Sequence, residues 1–389
     1  MSTADPGDPR PTPAACRPAA YLDHAATTPM CAEAVAAMVP FLSDHYGNPS
    51  GGHGVARAAL RALDEAREEL AFLLGASPGE LVFTSGGTEA DNLAVLGLAA
   101  GDGSVLCSAV EHPAVLEACR SAGGRTIRVD SRGVIDLEAL SRALDEHVRL
   151  VSVMLVNNET GVRQPLADVV SLVRTKAPGA VIHSDAVQAF AWLDVKSALA
   201  EVELVSVSGH KIGGPKGIGA LVLRGAAGTL RPLFHGGPQE RERRAGTQNV
   251  AGAVAMAAAA RAVVRDREIA SRRVGEFARR LVEGILAQVP AVHEAVPAAD
   301  RIAAICNLEV EGVESEELLV VLDELGVCAS AGSACASGAV EPSHVLLAMG
   351  RSVSRAKSHV RLSLGHATTP AEIDAALVAF PNAVARLRA

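Results

Sequence analysis

The chain is poor in aromatic residues, in lysine and in paired cysteines, and each shortage narrows its chemistry. Aromatic residues make up 3% of 389 positions, so the core has to be aliphatic, and a hydrophobic content of 49% is enough to build one. No Lys/Arg-rich run occurs and the formal net charge is -8, so the electrostatic footprint of a nucleic-acid binder is missing. No apolar run reaches membrane-spanning length; "VAGAVAMAAAARAVV" is broken by Arg261 and reads as a packed helix. The seven cysteines, Cys16, Cys31, Cys107, Cys119, Cys306, Cys328 and Cys335, are scattered without CxxC spacing, which indicates neither a disulfide framework nor a zinc site. Residues 1–19 hold five prolines and no apolar block. They read as a mobile tail without the apolar segment of a signal peptide, and the expected location is cytoplasmic.

From Leu81 onward, strand-length apolar runs ("ELVFT", "SVLCS", "TIRVD", "LVSVMLV", "AVIHSDA", "LVSVS", "GALVLR") alternate with segments of helical periodicity. That alternation predicts an α/β fold with a mostly parallel central sheet covered by helices on both faces. His53 to Leu74 reads as a helix before the sheet, and Ile269 to Val289 as a long helix after it. A second strand-helix-strand set and a final helix from Pro370 predict a smaller α+β domain. The expected organisation is a tail at 1–19, an N-terminal segment at 20–34 joining the small domain, a large domain at 35–264 and a small domain at 265–389.

Three segments carry chemistry. "LVFTSGGTEADNLAVL" is a strand, a Ser-Gly-Gly-Thr turn and a helix, and free N–H groups at such a helix start bind anions. Gly87 and Thr88 are the candidate phosphate contacts, although taken alone the segment is equally an ordinary helix cap. "VIHSDAVQAF" ends a buried strand on Asp185, with Gln188 three residues on. A carboxylate there wants a buried cationic partner, whether a structural arginine or something else. The third is "VSVSGHKIGGPKGIGAL". Only five lysines occur, and Lys211 alone follows a buried strand directly and sits among glycines, where partial desolvation lowers its pKa and makes the amine nucleophilic. An anion-binding helix start, a desolvated lysine and a strand-end aspartate together match the demands of pyridoxal phosphate. Two further residues bear on the substrate: His112 in "VEHPAV", able to lie over a flat ring, and Cys335 in "AGSACASG", a Ser/Gly/Ala-rich stretch with nothing bulky to bury a thiol.

Taken in order, "YLDHAATTPM", "GNPSGGH", "FTSGGTEADNLA", "EHPAV", "VNNETG", "HSDAVQ", "SGHKIGGPKGIGAL", "HGGPQERERRAGTQNV", "GSACASG" and "VRLSLGHATT" resemble the cysteine desulfurases of the NifS/IscS type. These belong to the class V aminotransferase group of fold-type I pyridoxal phosphate enzymes. The resemblance implies that Lys211 carries the cofactor, that His112 stacks on its ring, and that Asp185 and Gln188 contact the ring nitrogen and the 3-hydroxyl. It implies phosphate contacts from Gly87, Thr88, Ser208 and His210, with Thr247 donated across a homodimer. Asn158 and Arg361 are implied to hold the amino-acid substrate, and Cys335 to take up its sulfur as a persulfide. The implied reaction converts L-cysteine to L-alanine, with sulfur passed to a protein acceptor in iron-sulfur, thio-cofactor, tRNA or DNA pathways. No metal is implied. A selenocysteine lyase, a class V aminotransferase on another amino acid and an inactive sulfur-system scaffold are the alternatives. The chain departs from the family pattern at Pro238, where a third glycine is common, in its Pro-rich start, and in ending soon after the last helix, so the resemblance alone does not carry over an iron-sulfur scaffold partner.

Overall fold

The computed structural model describes residues 18–99, 104–225, 230–332 and 341–389. Most of the N-terminal tail, Cys16 and Cys335 therefore lie outside the described residues. Within them the strands are β1 Ala20–Tyr21, β2 Leu81–Thr84, β3 Ser104–Ser108, β4 Arg125–Ile127, β5 Val148–Ser152, β6 Val181–Asp185, β7 Leu204–Ser208, β8 Gly219–Leu223, β9 Val292–Glu294, β10 Ile305–Val310, β11 Val327–Cys328 and β12 His359–Ser363.

Seven of these form the main sheet, in the order β2-β8-β7-β6-β5-β3-β4. Neighbours from β7 to β4 pair in parallel, and β8 runs antiparallel to both β7 and β2. Strands covered on both faces have no polar side to display, and β2, β7 and β8 are buried along their whole length. The expected strand "TIRVD" is shorter than its apolar pattern. It leaves the sheet at Ile127, because Val129 pairs with Ile135 around a turn in which Gly133 takes φ 84°.

Helix Gly54–Leu74 buries Leu63, Leu70 and Leu74 along one stripe and stops at Gly75, a left-handed cap at φ 66°. Beyond the sheet, one helix of 39 residues runs from Val250 to Gln288. The sequence pattern predicts two helices here, a packed one and a second from Ile269; nothing breaks them apart, and the expected division at residue 264 falls inside this single rod. Its first half is rich in buried alanines, whose small side chains let helices Ala32–Met38 and Gly54–Leu74 approach closely.

A second, antiparallel sheet has the order β12-β10-β9. The segment after residue 18 is tied beside it: β1 pairs in parallel with β11 as a separate two-stranded sheet, and Asp23 bridges Ser363 at the end of β12. The last helix, Pro370–Arg388, opens with a capping box in which Thr369 and Glu372 satisfy each other's backbone N–H. Among the described residues no helix is long and apolar enough to cross a membrane.

Candidate active site

The parallel strands β3, β5, β6 and β7 point their carboxyl ends at one crevice, the place where open α/β sheets bind ligands. A cavity of ≈ 700 Å³ lies there, lined by Gly87, Thr88, His112, Asn158, Asp185, Gln188, Ser208, His210, Lys211 and Arg361. Every candidate residue from the sequence except Thr247 and Cys335 is thereby brought to one wall. Thr247 is exposed and does not line the cavity; Cys335 lies outside the described residues.

One end of the cavity is built to receive an anion. Strand β2 ends at Thr84 and helix Gly87–Ala99 begins three residues later. Ser85 N donates to Glu89 at 2.7 Å and Thr84 Oγ1 to the carbonyl of Gly86 at 2.9 Å, so the turn is closed on itself, and Gly87 and Thr88, the first residues of the helix, line the space with N–H groups that have no partner within the helix. A Cβ on Gly87 would come within 3.0 Å of Val187 Cγ2 and 3.6 Å of Ser208 Cβ. Gly219 is required for a different reason: its Cβ would sit 2.7 Å from the backbone carbon of Gly86, so β8 could not lie against this turn with any larger residue. Ser208 Oγ, at the end of β7, is buried with no hydrogen-bond partner among the described residues. An orphaned buried hydroxyl beside free helix N–H groups is a donor set waiting for an anion. His210 adds its ring, held through Nδ1 by Thr27 Oγ1 at 3.2 Å.

At the other end, Asp185 closes β6 and is 5% exposed. Its Oδ1 accepts from Val187 N at 2.8 Å. Burial pushes its carboxyl above the usual range, and His112 and Lys211 pull it back. His112 caps helix Pro113–Ser121, accepting from Ala114 N at Nδ1 over 3.1 Å, which leaves the proton on Nε2. Burial lowers its pKa, opposed by Asp185. Lys211 Nζ donates to the carbonyls of Ala25 and Ala26, the latter at 2.7 Å. Burial, aided by the Arg361 charge, lowers this amine from 10.5 to about 8. Gln188 Nε2 shares the Ala25 carbonyl at 2.7 Å.

Arg361, on β12, brings the second sheet to the cavity. Its guanidinium donates to the Asn158 carbonyl at 2.9 Å and to Asp23 Oδ1 at 2.7 Å, and its Nε is buried without a partner among the described residues. Asp23 and Arg361 are far apart in the chain, and nothing in the segment "YLDHAA" announces the pair. Asp91, Glu111 and His183 were also missed. All three are buried, and the charge of Asp185 raises the pKa of both Asp91 and Glu111, after burial itself. Their only signal was polarity in apolar surroundings.

This geometry is that of a pyridoxal phosphate transferase: a lysine with a lowered pKa, a buried strand-end carboxylate and a glycine-walled anion cradle along one crevice. The chain belongs to the class-V aminotransferase family, whose model matches residues 20–376. Within it the chain falls among the cysteine desulfurases. It is 44% identical over 387 residues, covering 95% of this chain and 97% of the relative, to an IscS-like cysteine desulfurase of Mycobacterium tuberculosis (strain ATCC 25618 / H37Rv). A solved NifS-like protein superimposes with a TM-score of 0.87 at 32% identity, covering 94% of this chain and 99% of that one. The structure of SspA in complex with cysteine gives a TM-score of 0.77 at 32% identity over 90% of this chain and 100% of the other.

Proposed function

We propose that the chain is a pyridoxal phosphate-dependent cysteine desulfurase, converting L-cysteine to L-alanine and passing the sulfur to an acceptor. The observation that carries this is the meeting of Lys211, its amine lowered to about 8, with buried Asp185 and Arg361 in one cavity. The residues present fit the cofactor: Gly87, Thr88 and Ser208 for its phosphate, Asp185 for its ring nitrogen, Gln188 for its 3-hydroxyl, His112 for its face. Bound there, pyridoxal phosphate supplies an electron sink for the carbanion left when an amino acid loses its Cα proton.

The chain's own groups do the rest. Arg361 fits the substrate carboxylate as a two-pronged donor, with Asn158 beside it. Lys211, substantially neutral near pH 8, takes the proton from Cα and can return it. His112 carries its proton on Nε2, toward the cavity, and serves the substrate thiol. The Cys335 thiolate attacks the substrate sulfur; a sulfur-sulfur bond forms, the carbon-sulfur bond breaks, and its electron pair stays with the carbon skeleton, which takes up protons to become alanine.

The homodimer belongs to the same reading. It is supported by Thr247, exposed and away from the cavity of its own chain, by an open cleft at the anion end lined by Gly87, Thr88, Ser208 and His210, and by the exposed apolar side chains of Val39, Leu42, Tyr46 and Phe234. A division of labour between a cofactor domain at 35–264 and a small domain at 265–389 joined by 20–34 is supported by the pairing of β1 with β11.

The test is labelled sulfur. With L-cysteine and a reductant the enzyme should release sulfide and alanine in equal amounts. The Cys335→Ser variant should bind cofactor and cysteine normally yet form no persulfide. Label recovered on Cys328, or undiminished sulfide from Cys335→Ser, would overturn the role given to Cys335.

A further inference from the structure

Glu159 is buried at 2% exposure on the wall of the cavity, and the roles given above make no use of it. Its carboxylate touches the chain at two places that are distant in sequence from it and close to each other. Ser343 Oγ donates to Glu159 Oε2, and the same hydroxyl accepts from Leu346 N at 3.2 Å as the cap of helix His344–Ala348. On the other side, Gly332 lies flat on the carboxylate: a Cβ there would meet Glu159 Oε2 at 2.9 Å and its Cδ at 3.3 Å, and the backbone holds φ 93°. Gly332 and Ser343 flank the stretch that carries Cys335.

Both flanks are fixed further. Ser330 exchanges backbone hydrogen bonds with Arg361, at 3.2 and 2.6 Å, and its Oγ accepts from Gly332 N at 3.1 Å. His344 Nε2 meets the Glu111 carbonyl at 2.9 Å. Glu159 is held in turn: Asn157 Oδ1 accepts from its N–H at 2.9 Å, and its carbonyl accepts from Asn307 Nδ2 at 3.2 Å. A buried carboxylate that costs free energy to desolvate is here spent on joining two strands of chain.

We infer that Glu159 is a positioning residue for sulfur transfer, fixing the spacing of Gly332 and Ser343, the described residues on either side of the stretch that carries Cys335. This rests on the desulfurase reading. Its contribution is made through hydrogen bonding and contact at the two flanks, so an amide of the same shape serves nearly as well as the carboxylate.

Three variants of the full-length holoenzyme decide it. In Glu159→Ala, transfer of labelled sulfur to Cys335 in a single turnover should slow by roughly 100-fold, the scale expected of a small misplacement of reacting groups, while KM for cysteine and cofactor affinity stay as in wild type. Glu159→Gln, which keeps an acceptor for Ser343, should recover most of the rate. Ser343→Ala, which removes the partner, should resemble Glu159→Ala and stands in for it if that variant does not fold. In cofactor-free protein, cleavage by a nonspecific protease between Gly332 and Ser343 should be faster in Glu159→Ala than in wild type. Unchanged transfer and cleavage in Glu159→Ala overturn the inference, as does a Gln variant no better than Ala, or a loss of cofactor affinity that accounts for the slower rate. If wild type makes no alanine from cysteine, it is the desulfurase reading that fails, and the cleavage comparison still decides whether Glu159 fixes the flanks.

Discussion

Arg67 and Glu240 face each other as a two-pronged ion pair, Nη1 to Oε2 and Nη2 to Oε1, both at 2.7 Å, with the side chains 7% and 1% exposed. Glu240 Oε2 also accepts from Phe83 N at 2.9 Å, and the Arg67 guanidinium lies over the Phe83 ring at 4.8 Å. The pair anchors the loop leading to Thr247 against β2, the strand that feeds the anion cradle. Glu240→Ala strands a buried guanidinium, and denaturant unfolding of the cofactor-free protein should show a loss of about 3–5 kcal/mol. A loss under 1 kcal/mol would mean the loop is anchored elsewhere.

The same loop holds Glu240, Arg241 and Glu242 at φ 47°, 57° and 65°, a conformation costly for any residue with a Cβ. Glu242 is exposed. Replacing it by glycine should therefore stabilise the protein by about 1 kcal/mol, where the same change at Glu240 destabilises it. Thermal melts of the two variants give the comparison, and a destabilised Glu242→Gly would show that its side chain contributes more than its backbone costs.

Lys211 sets a pH dependence with a definite sign. Its folded value of about 8 lies below the ordinary 10.5, so below pH 8 the folded protein carries a desolvated ammonium that the unfolded chain hydrates freely. That penalty is fully present below pH 8 and disappears as pH rises toward 10.5. Lys211→Met, tested without cofactor, should be more stable than wild type at pH 7, with the gap closing between pH 8 and 10.5. A gap that stays constant across this range would place the amine in a solvated setting and remove the basis for its reactivity.

Glu111 gives the opposite slope. It is fully buried, its Oε1 accepting from Met154 N at 2.7 Å, and burial with the nearby Asp185 and Asp91 raises its carboxyl well above 4.5. The folded state holds its proton more tightly than the unfolded state, so stability falls as pH rises above 4.5. Glu111→Gln keeps the acceptor and never ionises. Urea midpoints of variant and wild type should coincide near pH 4 and diverge in favour of the variant toward neutrality; divergence in the other direction would indicate an ionised, compensated glutamate.

Arg361→Lys keeps the charge and loses the planar fork. If Arg361 holds the substrate carboxylate as proposed, loss of one charge-assisted hydrogen bond should raise KM for cysteine roughly 10- to 100-fold with a smaller change in kcat. An unchanged KM would assign the arginine to Asp23 and Asn158 alone.

How much of this could be read beforehand depended on sequence distance. The cradle at Gly87 and Thr88, the aspartate at 185 and the lysine at 211 each sit at the end of an apolar run, where a strand stops and a turn begins. Such positions are written locally, and a parallel sheet brings its strand ends together whatever the details. The Asp23–Arg361 pair, the Glu159–Ser343 bond and the cluster of Asp91, Glu111 and Asp185 are made by chain topology instead, between segments that share no local pattern. The length of β4 and the unbroken helix Val250–Gln288 were obscured for another reason. Apolar periodicity continues past Ile127 into a turn, and the buried alanine face gives way near Arg265 to a more polar one without any helix-breaking residue.

That helix has a mechanical meaning. Its 39 residues span about 58 Å, from Asn249, two positions after Thr247, to the strand β9 of the small sheet. A tilt of about 5° around one end would carry the other through about 5 Å by the lever rule for a rod of that length. The loop that carries Thr247 and the small sheet that carries Arg361 thus sit at opposite ends of one rigid rod, and a tilt of that rod moves one relative to the other over a distance that neither could cover by local bending.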